Sequence, residues 1–198
     1  MRHLLQRLRG TRVVVAGDVV VDRYVFGTTT RISREAPVPV VRFERDLLRP
    51  GGAANAAVNV AALGARCSMV GVVGRDATAS AFRASMKGTR VTLHLVTEPG
   101  RATAEKLREL AGAQGTRAQQ VLRLDRDPAS PPAAATLRGV ALGIAAAVKA
   151  NAGAVLLSDY GGGLMEGTVV DAVVAPAHAG LPVVVDSRFL LGRVKGPV

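Results

Sequence analysis

Short runs rich in β-branched residues alternate along this chain with longer runs rich in alanine. Arg12 to Gly17 (RVVVAG) is apolar without interruption, the pattern of a strand buried on both faces. Cys67–Val73, Val91–Val96, Ala154–Leu157 and Pro182–Val185 read as further strands. Between them, Ala53–Leu63, Ala77–Lys87, Leu137–Ala150 and Met165–Ala179 predict helices, the first stopped by Gly64. Strand and helix in alternation predict an α/β fold with a mostly parallel sheet flanked by helices. Residues 20–44 and 90–125 break the rhythm and read as strands without intervening helices. Tyr24–Phe26 and Val38–Phe43 are the short strands expected in the first of them. The two excursions predict a small second β layer within one domain spanning residues 1–198. Ala104–Ala111 conflicts with this, because Glu105 to Leu110 favours a helix by propensity.

Composition narrows the picture. Hydrophobic residues make up 48% and charged residues 21%, as in ordinary globular proteins and unlike disordered ones. Cys67 is the sole cysteine, so neither an internal disulfide nor a multi-cysteine metal site is expected, and the cytoplasm is the expected location. Met1 to Leu8 is basic without an apolar stretch, so no signal peptide is expected there; Val140–Val148 is too short to span a bilayer. The net charge of +11 suits polyanionic partners, but aromatic residues are only 3% and no nucleic-acid module is visible. The charge is therefore read as an arginine-rich surface, with neither nucleic acid nor membrane as partner.

Three aspartates share a context. Asp18, Asp159 and Asp186 each follow a predicted strand. Ligands of open parallel sheets bind at the carboxyl ends of the strands, so neighbouring strands would gather these carboxylates on one rim, able to accept hydrogen bonds from hydroxyls. Each alone is better explained as a cap of the next helix or turn; the three together favour a ligand. Gly51 and Gly52 enter the helix that carries Asn55 in its first turn; paired glycines let a backbone approach a ligand and leave N–H groups free. No Gly-Lys-Ser/Thr follows, so this is not a Walker loop. Asp76, after a strand ending in Gly74, reads as a helix cap. Arg31, Arg34, Lys106, Arg108 and Arg123 fall in the two excursions, where a lid would lie, and could clamp a phosphate. His3, His94 and His178 lack metal-ligand spacing, and no metal site is expected.

In order along the chain, Ala16-Gly17-Asp18-Val19-Val20-Val21-Asp22, Arg31-Ile32-Ser33-Arg34-Glu35-Ala36-Pro37-Val38-Pro39, Pro50-Gly51-Gly52-Ala53-Ala54-Asn55, Gly71-Val72-Val73-Gly74-Arg75-Asp76, Leu122-Arg123-Leu124-Asp125, Ser158-Asp159-Tyr160 and Val185-Asp186-Ser187 resemble the phosphofructokinase-B or ribokinase family. The Arg-Ile-Ser-x-Glu-Ala-Pro segment is similar to members that act on D-glycero-β-D-manno-heptose 7-phosphate. The resemblance implies a ribokinase-like sheet with a β lid, in which Ala104–Ala111 is a strand. It implies that Asp18, Asp22, Gly51, Gly52 and Asn55 hold sugar hydroxyls, and that Arg31, Lys106, Arg123 and Asp125 enclose the sugar phosphate. Asp159 and, on the cofactor side, Asp186 would face the phosphoryl-transfer site. ATP and Mg²⁺ are the implied cofactors, a sugar phosphate the partner, and a homodimer through the lid is compatible with it. Glu105 and Glu109 depart from the family's corresponding strand and bear on Lys106 as a phosphate ligand. The family's Asn-x-x-Glu and Gly-Ala-Gly-Asp segments, the latter carrying the catalytic base, are expected beyond residue 198. No catalytic residue is therefore expected within the 198 residues, and the chain alone is expected to be inactive and to fold poorly. Another sugar or nucleoside acceptor, or a non-catalytic sugar-binding role, are the competing readings.

Overall fold

In a computed structural model, which describes residues 2–113, 116–188 and 191–194, the elements follow the alternation closely. A short helix α1 (Arg2–Leu8) precedes β1 (Arg12–Gly17), β2 (Val19–Ile32) and β3 (Pro39–Gly52). Then come α2 (Ala53–Ala62), β4 (Arg66–Gly74), α3 (Ala77–Ser85), β5 (Val91–Glu98), β6 (Ala104–Gly112) and β7 (Gln119–Arg126). These are followed by α4 (Ala134–Lys149), β8 (Ala154–Asp159), α5 (Gly167–His178) and β9 (Val183–Ser187).

Five strands form one sheet in the order β5-β4-β1-β8-β9, every neighbouring pair parallel. Alternation in β1 divides the core between its faces. Val13 and Val15 pack with Met69, Phe82 and the alanines of α2 on one face. Val14 and Ala16 pack with Val140, Ile144, Leu157 and Val173 under α4 and α5 on the other. Burial on both faces is why β1 reads as an unbroken apolar run.

The second sheet has the order β3-β2-β6-β7 and is mixed. β2 leaves the end of β1 and pairs in parallel with β6, while β3 and β7 return antiparallel on the outside. Two of the expected boundaries change. β2 and β3 are each 14 residues long, because their two edges pair along nearly the whole length. Val91–Glu98 belongs to the edge of the main sheet, paired with β4 from Cys67↔Val91 to Gly74↔Glu98, so the second excursion starts only near Ala104. Its inward Val91, Leu93 and Leu95 pack against the α2-side core, which draws the segment into the main sheet.

Ala104–Gly112 is a strand despite its helical propensity. Ladder pairing on both edges and two ion pairs at Glu105 outweigh a few tenths of a kcal/mol per residue of propensity.

Asp76 caps α3 as expected, accepting from Ala79 N at 2.7 Å. It also accepts from Thr103 N at 2.7 Å and Thr103 Oγ1 at 2.9 Å, tying α3 to the start of β6. Burial alone would raise its carboxyl pKa, but these hydrogen bonds outweigh burial and hold it below the usual value. A depressed carboxylate stabilises the fold above its unfolded pKa and loses that contribution as pH falls through the folded value. Asp76→Ala is expected to cost about 1–2 kcal/mol near neutrality. Thermal melts should show that difference shrinking toward acid pH; a constant difference would refute the ionic contribution.

Candidate functional site

Both sheets meet at the carboxyl end of β1. Gly17 lies so close to the backbone of β8 that a Cβ there would collide with the Ser158 carbonyl. That approach lets Asp18 N donate to Ser158 O at 3.2 Å and sets Asp18 beside Asp159. Asp18 Oδ2 accepts from Tyr160 N at 2.8 Å and Gly162 N at 3.0 Å. Asp159, only 3% exposed, accepts from Gly161 N at 3.0 Å and from Ser187 Oγ at 2.6 Å. The Tyr160–Gly163 turn is thus wrapped around two neighbouring carboxylates, with Gly161 and Gly163 in the left-handed region at φ 85° each. Burial pushes the Asp18 carboxyl pKa up; the Tyr160 and Gly162 amides oppose that shift and Asp159 adds to it.

A cavity of about 320 Å³ opens beside Asp18. Its size falls at the lower end of the range for small-molecule sites. The turn at 160–164 and Pro131–Pro132 wall it, and Val20, Ala104 and Lys106 of the small sheet roof it. Strand alternation explains the roof. Registers Asp22↔Lys106, Tyr24↔Arg108, Lys106↔Asp125 and Arg108↔Arg123 place these side chains on one face of the small sheet. On that face Arg108 Nη1 donates to Asp22 Oδ1 at 2.6 Å and lies 5.3 Å over the Tyr24 ring. Arg123 grips Asp125 through two hydrogen bonds of 2.8 and 2.7 Å. Those bonds to Arg123 hold the Asp125 carboxyl below its usual range. Lys106 has no carboxylate hydrogen-bonded to it among the described residues and is available to a ligand.

The opposite face explains the two acidic departures from the family pattern in part. Glu105, 1% exposed, accepts from Arg23 Nε at 2.7 Å and Arg126 Nη1 at 2.6 Å; Arg23 also donates to Asp46 at 2.8 Å. Glu105 therefore faces away from the cavity and pins β2, β6 and β7 together, while Lys106, next in sequence, faces it.

Not every expected residue arrives here. Gly51 and Gly52 abut the site through the backbone: a Cβ at Gly51 would meet Asp22 Oδ2 at 2.5 Å, and one at Gly52 would meet Asp18 O at 2.6 Å. Asn55 is exposed on α2 and hydrogen-bonded to Asn59 at 3.4 Å; it does not line the cavity. Arg31 pairs with Val40 near the far tip of β2, nine residues and about 30 Å of strand beyond Asp22. Asp186 does reach the rim, but its register partner is Ser158 and not Asp159, so it sits exposed on the other face of the sheet. The three carboxylates do not form one cluster, because side chains alternate along a strand.

Three contributors went unread in the sequence. Arg101 bridges the two cavity walls, donating to Ser130 O at 2.5 Å and Gly162 O at 3.0 Å. Burial draws its guanidinium below the usual value, against the opposing pull of Glu98 and Asp18. Asp127 lines the same cavity. The glycine run 161–163, one residue beyond Asp159, was the available signal. A Cβ at Gly162 would meet Asp18 Oδ1 at 2.6 Å. Gly162→Val is expected to displace the turn and weaken ligand binding at least tenfold with the fold retained; unchanged affinity in a titration would show that the turn does not shape the site.

Among the described residues no group of three or more His, Cys, Asp or Glu could hold a metal ion. Asp18 and Asp159 are already engaged by backbone amides and Ser187, so the donor set does not make a Mg²⁺ cage. No nucleotide contact follows from these residues either.

A parallel α/β sheet with a polar cavity at its carboxyl edge, roofed by a second small sheet, has the layout of a lidded small-molecule-binding site. Residues 10–137 match the pfkB family of carbohydrate kinases. The chain is 40% identical over 190 residues to the bifunctional protein HldE of Caulobacter vibrioides, covering 95% of this chain and 38% of that protein. With HldE of Ectopseudomonas mendocina it shares 41% over 189 residues, again 95% of this chain and 38% of the relative. The chain thus spans well under half the length of these relatives. Phosphofructokinase-2 of Escherichia coli, solved in complex with fructose-6-phosphate, superposes with a TM-score of 0.64 at 16% identity, over 90% of this chain and 55% of that one. A carbohydrate kinase from Agrobacterium tumefaciens gives 0.61 at 18% identity, over 88% and 53%. The chain belongs to the pfkB family of carbohydrate kinases.

Proposed function

We propose that this chain carries the sugar-binding half of an ATP-dependent kinase acting on D-glycero-β-D-manno-heptose 7-phosphate. The observation that carries the proposal is the pairing, in one cavity, of the half-buried Asp18 carboxylate with Lys106, which no carboxylate hydrogen-bonds among the described residues and which shares its lid face with Arg108 and Arg123. Asp18 accepts hydrogen bonds from sugar hydroxyls, and Lys106 attracts the phosphate, with Arg101 holding the walls in place. In the reaction the anomeric oxygen bonds to the γ-phosphorus of ATP, the bond to the ADP oxygen breaks, and the hydroxyl proton passes to a base. ATP supplies the phosphoryl group. This chain's own contribution is to bind and orient the acceptor, which is most of what phosphoryl transfer asks of a protein. The base is not among the residues named above.

The test is ATP consumption by the full-length protein with heptose 7-phosphate, fructose 6-phosphate and free heptose as acceptors. A preference for heptose 7-phosphate supports the proposal; equal or better use of another acceptor selects the reading of a different family kinase. The lid also presents Ile32, Val38 and Phe43 to solvent, 60%, 51% and 63% exposed. A second copy covering them through its own lid is expected. Light scattering should report a dimer that Phe43→Asp converts to monomer; a monomeric wild type would exclude it.

A further inference from the structure

The net charge is not spread over the surface. Residues 1–17, 53–75, 77–97 and 128–158 contain no Asp or Glu, yet carry eleven of the Lys and Arg residues. The remaining segments are balanced, so these four carry the whole excess of +11. They build most of the main sheet with α2, α3 and α4.

Three of those arginines converge at the amino end of the sheet, about 17 Å of strand from the Asp18 end of β1. Arg12 begins β1, Arg66 begins β4, and Arg90 immediately precedes β5. The registers Arg12↔Arg66 and Cys67↔Val91 align all three on adjacent parallel strands and on the same face, the face that carries α4. Their backbones are spaced by about 4.8 Å per strand, so the guanidinium groups spring from a line roughly 10 Å long. The side chains line a concavity of about 330 Å³ with the hydroxyl residues Ser68 and Thr92.

Arg12 Nη1 donates to Ala150 O at 2.5 Å, capping the carboxyl end of α4. Arg66 and Arg90 have no carboxylate partner among the described residues. Like charges facing one another across strands are destabilising. Scattered surface arginines in a charge-mixed protein would not produce an in-register row of three around hydroxyl groups with no acid in the segments that form it.

We propose that this concavity is a second anion site, separate from the sugar cavity, that takes a diphosphate group, either inorganic or on a nucleotide. Arg66 and Arg90 offer planar forks that grip phosphate oxygens in pairs. Ser68 and Thr92 donate hydroxyl protons to the remaining oxygens, and Arg12, fixed by α4, adds charge at one end.

Calorimetric titration of the full-length protein with inorganic pyrophosphate, and separately with ADP, tests this. R66Q/R90Q is expected to weaken pyrophosphate binding at least tenfold, while K106A, altered in the sugar cavity, leaves it unchanged. ADP also occupies the kinase's own nucleotide site, so its titration is read for the number of sites: a second ADP site that is lost in R66Q/R90Q identifies the diphosphate group as the recognised element; a single ADP site in both proteins, with pyrophosphate binding lost, marks the inorganic ion as the ligand. R66K/R90K keeps the charge and strand pairing without the fork, and serves as the folded comparison: severalfold weaker binding supports the assignment. Wild-type affinity in both double variants, or loss in K106A instead, would overturn it. Tighter and steeply salt-dependent binding to duplex DNA, abolished by R66Q/R90Q, would overturn it in favour of a nucleic-acid surface.

Discussion

Asp18→Asn should weaken sugar-phosphate binding by about 100-fold or more while making the fold more stable near neutrality. The asparagine amide oxygen can still accept from the Tyr160 and Gly162 amides, and its NH₂ can donate toward Asp159, so the 160–163 turn keeps its anchor. The lost element is a half-buried negative charge beside the cavity, which the proposed function sets against the sugar hydroxyls. Hydrogen bonds to a charged group contribute about 1.5–3 kcal/mol each, so the loss of two from sugar hydroxyls weakens binding by roughly 100-fold or more. The sign of the stability change follows from the raised pKa of Asp18, whose first cause is burial. A carboxyl with a raised folded pKa binds more protons folded than unfolded between the two values. Wild-type stability therefore falls as pH rises from the ordinary aspartate value through the raised one. An asparagine does not titrate, and the variant should lack that fall. Melting curves across this window together with a sugar-phosphate titration check both halves. A variant that binds sugar phosphate as well as wild type would remove Asp18 from the proposed site.

Glu105→Leu should be the most destabilising single change in the small sheet. Glu105 is 1% exposed and joins Arg23 of β2 to Arg126 of β7, so one carboxylate pins three strands. Its removal leaves the half-buried Arg23 with Asp46 alone, whereas Arg126, 60% exposed, can rehydrate. Breaking a buried pair costs about 3–5 kcal/mol, and the exposure of Arg126 argues for the low end, about 3 kcal/mol. In a chain of this length that corresponds to a fall in melting temperature of about 6–12 °C. Arg126→Ala should cost much less, since its partner keeps Arg23. Because Lys106 is next in sequence and faces the cavity, Glu105→Leu should also weaken sugar-phosphate binding, which a purely local loss of stability would leave untouched below the melting range. A melting shift under 2 °C would show that the ladder, and not the ion pairs, holds the lid.

The sequence by itself determined the main sheet. Strands such as RVVVAG are apolar on both faces because helices cover both, and that leaves an uninterrupted signal needing no tertiary information. The cap at Asp76, the glycine pair before α2 and Asp18 at the end of β1 were equally legible, because each depends on backbone chemistry within a few residues. Tertiary structure decided the rest. Val91–Glu98 could have joined either sheet, and only its packing against the α2-side core placed it in the main one. Lys106 and Glu105 are neighbours in sequence with opposite destinations, set by the pairing of β6 with β2 and β7. Asp159 and Asp186 follow strands alike, yet one is buried beside Asp18 and the other exposed on the far face, because registry one residue apart reverses a side chain's direction. The row of Arg12, Arg66 and Arg90 could not be seen along the chain at all: its members lie up to 78 positions apart and meet only because three strands start level with one another.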